Sequence, residues 1–248
     1  MDEPLTRDVF LGGRLSIWQP RAGYRAATDP VLLAASVAAR PGDSVLELGC
    51  GAGVALLALG QRLPGLALSG VERQEGYAEL ARRNALENGL MAQIVTADLT
   101  ALPADLRVTF DHVMANPPYY LPSSPAARDA GRAAALREET PLADWIGCGL
   151  RRLKSGGTLT LIHLAERLPA LLTALDGPAG SIAVRPVASR VGRPAGRVIV
   201  QARKGARGAF RLLAPLIMHA GAEHLGDRDD ASEAARALLR DAPAMDWR

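Results

Sequence analysis

A chain of 248 residues with 48% apolar and 22% charged residues has enough material for a full hydrophobic core and too much of it for a disordered protein. Two cysteines, Cys50 and Cys148, exclude a disulfide scaffold, and four scattered histidines without ligand spacing argue against a metal centre. No apolar run nears the roughly 18 residues of a bilayer span, and the acidic opening resembles neither a secretory signal nor a transit peptide, so the expectation is a cytoplasmic protein without a membrane partner.

The net charge is only +3, but residues 177–222 contain no acid and eight cations: Arg185, Arg190, Arg193, Arg197, Arg203, Lys204, Arg207 and Arg211. Two readings stand side by side. One is a solvated face in an arginine-rich chain; the other is a strip that meets the phosphates of a polyanion.

In chain order, Gly12-Gly13 between two apolar stretches predicts a hairpin, broken by Pro20 and Gly23. Asp29 before Pro30 reads as an N-cap with proline at the first helical position, and the apolar run that follows predicts a helix ending at Pro41-Gly42. Residues 1–40 form an extension on this reading, and 41–248 one domain. Strand signals recur at 44–48, 66–71, 92–96, 112–115 and 158–163, with helices between most of them. Alternation of this kind predicts an α/β, Rossmann-like architecture: a mixed, mostly parallel sheet of seven strands with helices on both faces. A helix through Tyr77, Leu80, Ala81 and Ala85 should stop at Asn88-Gly89. Residues 120–141 read as a long connection or helical lid carrying Arg128, Arg132 and Arg137. Two β-rich segments around Gly192 to Gly196 predict an antiparallel pair at the sheet edge, and 232–240 a final amphipathic helix.

The first central strand runs into Glu47-Leu48-Gly49-Cys50-Gly51-Ala52-Gly53. Glycines at the end of a parallel strand let a ligand approach the backbone more closely than any Cβ would allow. The spacing is not that of a dinucleotide fold, and the acid within the strand suits a ligand bringing a cation and an ammonium group, which describes S-adenosylmethionine. Glu72, ending the second strand, can accept both hydroxyls of a ribose, and Asp98, ending the third, an adenine amino group.

The fourth strand delivers Asn116-Pro117-Pro118-Tyr119-Tyr120. Two prolines fix φ and remove two donors, so the turn displays acceptors. The Asn116 side-chain oxygen and the Pro117 carbonyl can accept both hydrogens of a planar NH2 group and stabilise positive charge as its nitrogen attacks a sulfonium methyl. Tyr119 offers a flat face for stacking.

These motifs together resemble class I S-adenosylmethionine-dependent amino-methyltransferases. The preceding segment, from Gln19-Pro20 through Gly23, Tyr24, Arg25, Thr28 and Asp29, is similar to the bacterial valine-tRNA adenine-N6-methyltransferase family, as is the compact tail after Lys154-Ser155-Gly156-Gly157. The resemblance implies that Asn116, Pro117 and Tyr119 form the catalytic corner. It implies that Glu47, Gly49, Gly51, Gly53, Glu72, Asp98, Asn116 and Asp29 contact the cofactor, and that RNA, in particular tRNA, is the partner. Arg25, Arg128, Arg132, Arg193 and Arg197 are the expected RNA contacts. Three alternatives share parts of this signature: a protein glutamine N5-methyltransferase, an rRNA guanine-N2 methyltransferase, and an RNA-binding module without catalysis.

Overall fold

A computed structural model describes residues 4–22, 24–119, 140–221, 223, 230–241 and 243–247. The expected lid, with Arg128, Arg132 and Arg137, lies outside the described residues. Among the described residues no helix is long and apolar enough to cross a membrane.

The chain opens with the expected hairpin, β1 (Leu5–Phe10) and β2 (Leu15–Pro20), turned by Leu11 to Gly13 with Gly12 and Gly13 at positive φ. Helix α1 (Thr28–Ser36) follows. Strands and helices then alternate: β3 (Ser44–Leu48), α2 (Val54–Arg62), β4 (Ala67–Glu72), α3 (Glu75–Glu87), β5 (Ala92–Thr96) and β6 (Phe110–Ala115). Beyond the lid segment come α4 (Leu142–Arg152), β7 (Leu153–Leu164), α5 (Leu168–Leu175), β8 (Ala179–Ala188) and β9 (Ala195–Lys204). Two very short strands, β10 (Arg211–Leu212) and β11 (Leu216–Ile217), and helix α6 (Glu233–Asp241) complete it.

The sheet order is β10-β8-β9-β7-β6-β3-β4-β5, with β11 also on β8. β3 to β7 are parallel; β9 runs antiparallel to β7, and β8 to β9. Seven long strands thus match the expected mixed sheet, and the two short ones raise the count among the described residues to nine. They also correct the expected edge. β9 lies inside the sheet, and β8 is covered in two places by β10 and β11, which shields part of an open strand edge.

Alternation along the central strands divides the core. Val45, Met114 and Ile162 face α1, α2 and α3, while Leu46, Leu48, Val113, Ala115, Leu159 and Leu161 face α4 and α5. Leu11, Leu15 and Ile17 of the hairpin share the first of these cores with α1 and α2.

Helix α1 differs from expectation at both ends. Ala27 is the capping residue, and Asp29 sits in the first turn with its carboxylate bonded to distant side chains instead of the helix backbone. The helix stops at Ser36, before Pro41-Gly42. The Ser36 carbonyl accepts from Gln201 Nε2 and Trp247 Nε1, so the helix end is satisfied without another turn.

Asn84 of α3 and Asn88, which caps its C-terminus, act as a surrogate strand for β2. Asn84 accepts from Trp18 N at 2.8 Å and donates to Trp18 O at 3.1 Å; Asn88 does the same for Ser16 at 2.9 and 2.7 Å. Asn84, fully buried, also donates to the Ala52 carbonyl in the glycine loop. Asn84→Ala leaves three backbone groups without this partner and is expected to destabilise the protein by about 3 kcal/mol in urea unfolding, against about 1 kcal/mol for the half-buried Asn88→Ala. Equal losses would mean that the link to the glycine loop contributes nothing.

Candidate active site

The chain order reverses across β3 and β6, and parallel sheets open a crevice at such a point. Leu48 pairs with Val71 on one side and Ala115 on the other. The residues that follow, Gly49, Glu72 and Asn116, therefore emerge side by side. One cleft is lined by Glu47, Gly49, Gly51, Glu72, Asp98, Asn116, Pro117 and Tyr119, all expected site residues.

Gly49, Gly51 and Gly53 have φ of 66°, 54° and 88°, where only glycine is unstrained. They differ in what a side chain would meet. A Cβ on Gly49 would lie 2.5 Å from the Trp145 ring, and on Gly53 3.3 Å from Ala81 and Leu57; on Gly51 it would meet no atom of the described residues within 4 Å. Gly51 faces open cleft.

The acids are held by backbone donors. Glu72 accepts from Gly51 N and Gln74 N, one on each oxygen, both at 2.9 Å, which leaves each oxygen able to accept again. Asp98 binds Thr100 N and Oγ1 through Oδ1 alone, and those bonds hold its carboxyl below the usual range. Glu47 accepts from Leu56 N at 2.9 Å in the first turn of α2, a capping role the strand pattern did not reveal. Burial pushes its carboxyl well up despite that bond, and a cation brought into the cleft would oppose the shift.

At the expected catalytic corner Asn116 donates through Nδ2 to the Tyr24 hydroxyl across 3.5 Å, while its Oδ1 is buried with no hydrogen-bond partner among the described residues. A buried amide oxygen without a donor is costly unless a ligand supplies one. The Tyr119 hydroxyl donates to Asp29 Oδ2 at 2.5 Å, and Arg197 Nε donates to the same oxygen at 3.0 Å. The Arg197 guanidinium lies 4.9 Å from the Tyr119 ring centroid, and His163 packs against the ring at 5.4 Å. Neither Asp29 nor Arg197 is on the cleft wall.

The other expected RNA contacts are dispersed. Arg25 is paired with Asp8 at 2.7 Å. Arg193 is exposed in the β8–β9 turn. Much of the basic strip is engaged by backbone carbonyls: Arg185 by Ala214 and Asp246, Arg190 by Ala220, Arg203 by Gly156, Lys204 by Leu153 and Arg211 by Trp247. Sequence reasoning missed Tyr24 and Trp145 as cleft residues. Tyr24 stands within the quoted N-terminal motif, whereas nothing local marks Trp145.

A family model described as "Methyltransferase small domain" matches residues 27–169, more than half of the chain. The chain belongs to that family. This methyltransferase small domain protein is 35% identical over 174 residues to a tRNA1(Val) (adenine(37)-N6)-methyltransferase of Porphyromonas gingivalis, covering 66% of this chain and 68% of the relative. It is 29% identical over 198 residues to a 4-amino-L-phenylalanine/4-methylamino-L-phenylalanine methyltransferase of Streptomyces pristinaespiralis, covering 69% and 66%. The crystal structure of a predicted O-methyltransferase from Agrobacterium tumefaciens superimposes with a TM-score of 0.70 at 28% identity, covering 88% of this chain and 98% of that one. The protein is a methyltransferase that uses S-adenosylmethionine. The open space at Gly51, the acceptor oxygens of Glu72 and Asp98, and the buried acid Glu47 fit that cofactor.

Gly51→Ala should cost about 1 kcal/mol of stability for its left-handed backbone and weaken S-adenosylmethionine binding at least tenfold by calorimetry; Gly49→Ala, which also strikes Trp145, should lose far more stability together with the binding. If Gly51→Ala binds the cofactor normally, the cofactor does not pass over this residue. A second expectation concerns His163. Burial first, then Arg167 and Arg197, lower its pKa from 6.5 to about 4. The unfolded chain then binds the extra proton first, so this contribution to stability is full above about pH 6.5 and lost as pH falls toward 4. The melting temperature of His163→Leu should therefore decline less over that window than that of the unsubstituted protein.

Proposed function

We propose that the protein methylates the exocyclic N6 amino group of an adenine in RNA, with tRNA as the substrate. The observation that carries this reading is the buried Oδ1 of Asn116, without a partner among the described residues, in a cleft that Pro117, the next residue and the bearer of a second acceptor, also lines. Two adjacent acceptors match a group with two hydrogens to give. A hydroxyl substrate offers only one, so the pair favours methyl transfer to nitrogen over the transfer to oxygen for which the Agrobacterium protein is named.

When bound, S-adenosylmethionine supplies an electrophilic methyl on a sulfonium. The chain does the rest. Glu47, Glu72, Asp98 and the glycines hold the cofactor. Asn116 Oδ1 and Pro117 O accept the two N–H groups, draw the nitrogen out of conjugation with the ring, and stabilise the positive charge it gains. No side chain need remove a proton first, because the nitrogen becomes acidic only once it is cationic. Tyr119 supports the plane of the base.

An adenine stacked within a helix cannot reach this corner, so the target base is unstacked or flipped. A sequence pI near 9.2 and the exposed Arg193 and Arg207 suit a polyanionic substrate. The relative acting on 4-amino-L-phenylalanine also has an amine conjugated to an aromatic ring as its acceptor, which agrees with the chemistry and differs in size.

The test is incubation with tritiated S-adenosylmethionine and total tRNA from a strain lacking the gene, followed by nucleoside analysis. N6-methyladenosine is the expected product; label confined to protein, or in guanosine, would reject the reading. Asn116→Ala should cut kcat about a hundredfold and leave cofactor affinity nearly unchanged. Loss of cofactor binding with normal turnover would contradict the assigned role.

A further inference from the structure

We infer that Asp29, braced by Arg197, is a positioning residue that sets the ring of Tyr119 for the incoming planar amine. This rests on the function proposed above and assigns Asp29 and Arg197 a task other than cofactor or RNA contact.

Three chain segments meet at one carboxylate oxygen. Asp29 Oδ2 accepts from the Tyr119 hydroxyl and from Arg197 Nε, bonds that span 90 and 168 residues of sequence. The pair is substantially shielded, with the Asp29 side chain 20% and the Arg197 side chain 35% exposed. Burial first, and then the Asp29 carboxylate, raise the Tyr119 phenol, so the hydroxyl keeps its proton and acts as donor. The ring is fixed at its tip by Asp29, over its plane by Arg197 and against its flank by His163.

Arg197 and Asp29 stand off the cleft wall while Tyr119 is on it. The cation lies over one face of the ring, and the ring itself lines the cleft. A phenol tied in this way can hold one tilt. A free one would rotate about its χ angles, and the acceptor nitrogen would meet the Asn116 and Pro117 oxygens only part of the time. The same N-terminal segment also supplies Tyr24, whose hydroxyl accepts from Asn116 Nδ2 and so leaves Oδ1 as the end that faces a donor.

The experiment uses the full chain with Asp29→Asn, Asp29→Glu, Tyr119→Phe and the double variant Asp29→Asn with Tyr119→Phe. The chain has four tyrosines, so 13Cζ-tyrosine NMR resolves Tyr119, assigned by its absence from Tyr119→Phe. In Asp29→Asn the Tyr119 signal should move or broaden while that of Tyr77 stays. On tRNA, Asp29→Asn should lower kcat about tenfold with the KM for S-adenosylmethionine and the calorimetric affinity unchanged. Asp29→Glu should recover part of the loss, and the double variant should be no slower than Tyr119→Phe alone. An unmoved Tyr119 signal, weakened cofactor binding with kcat intact, losses that multiply in the double variant, or a lower melting temperature with full kcat would each overturn the inference. If the unsubstituted protein labels no RNA, the function proposed above fails, and the NMR comparison still decides whether Asp29 holds the ring.

Discussion

The site depends on the register of three parallel strands. With Leu48 level with Val71 and Ala115, the chain must turn at Gly49, Glu72 and Asn116 at the same height above the sheet. A slip of one residue in either pairing would carry Val45 and Met114 out of one core and Leu46 and Val113 out of the other, so burial on both faces enforces the alignment of the Asn116 turn. The glycine loop and the Asn116 turn are thus neighbours because the hydrophobic pattern sets the register.

That pattern, and the residue types at strand ends, were readable along the chain. The positions of β3 to β7, the stop of α3 at Gly89, and the glycines and acids of the cleft follow from local chemistry: periodicity, left-handed turns, and carboxylates where strands finish. What escaped depends on partners far away in sequence. Asp29 has the composition of a helix cap, yet its carboxylate is claimed by Tyr119 and Arg197. Helix α1 has a proline and glycine downstream to end it, yet it ends sooner because Gln201 and Trp247 take its last carbonyl. The Trp145 ring against Gly49 arises from the packing of α4 over the sheet, and no spacing in the chain announces it.

The arginine-rich stretch teaches a related lesson about charge. A run of cations without acids looks like a surface for a polyanion, but guanidinium groups also serve as multidentate donors for carbonyls at the ends of loops. Arg185 and Arg211 bind the carbonyls of Asp246 and Trp247 and so fasten the C-terminal segment to β8 and β10. Of the eight cations Arg193, Arg203, Arg207 and Arg211 remain exposed, and two of these, Arg203 and Arg211, already hold a carbonyl.

The Asp29 carboxylate also works as a tether. Through one oxygen it ties α1 to the turn after β6 and to β9, so a shift of any one of these is passed to the other two, and the parallel half of the sheet is locked to its antiparallel half beside the Asn116 turn.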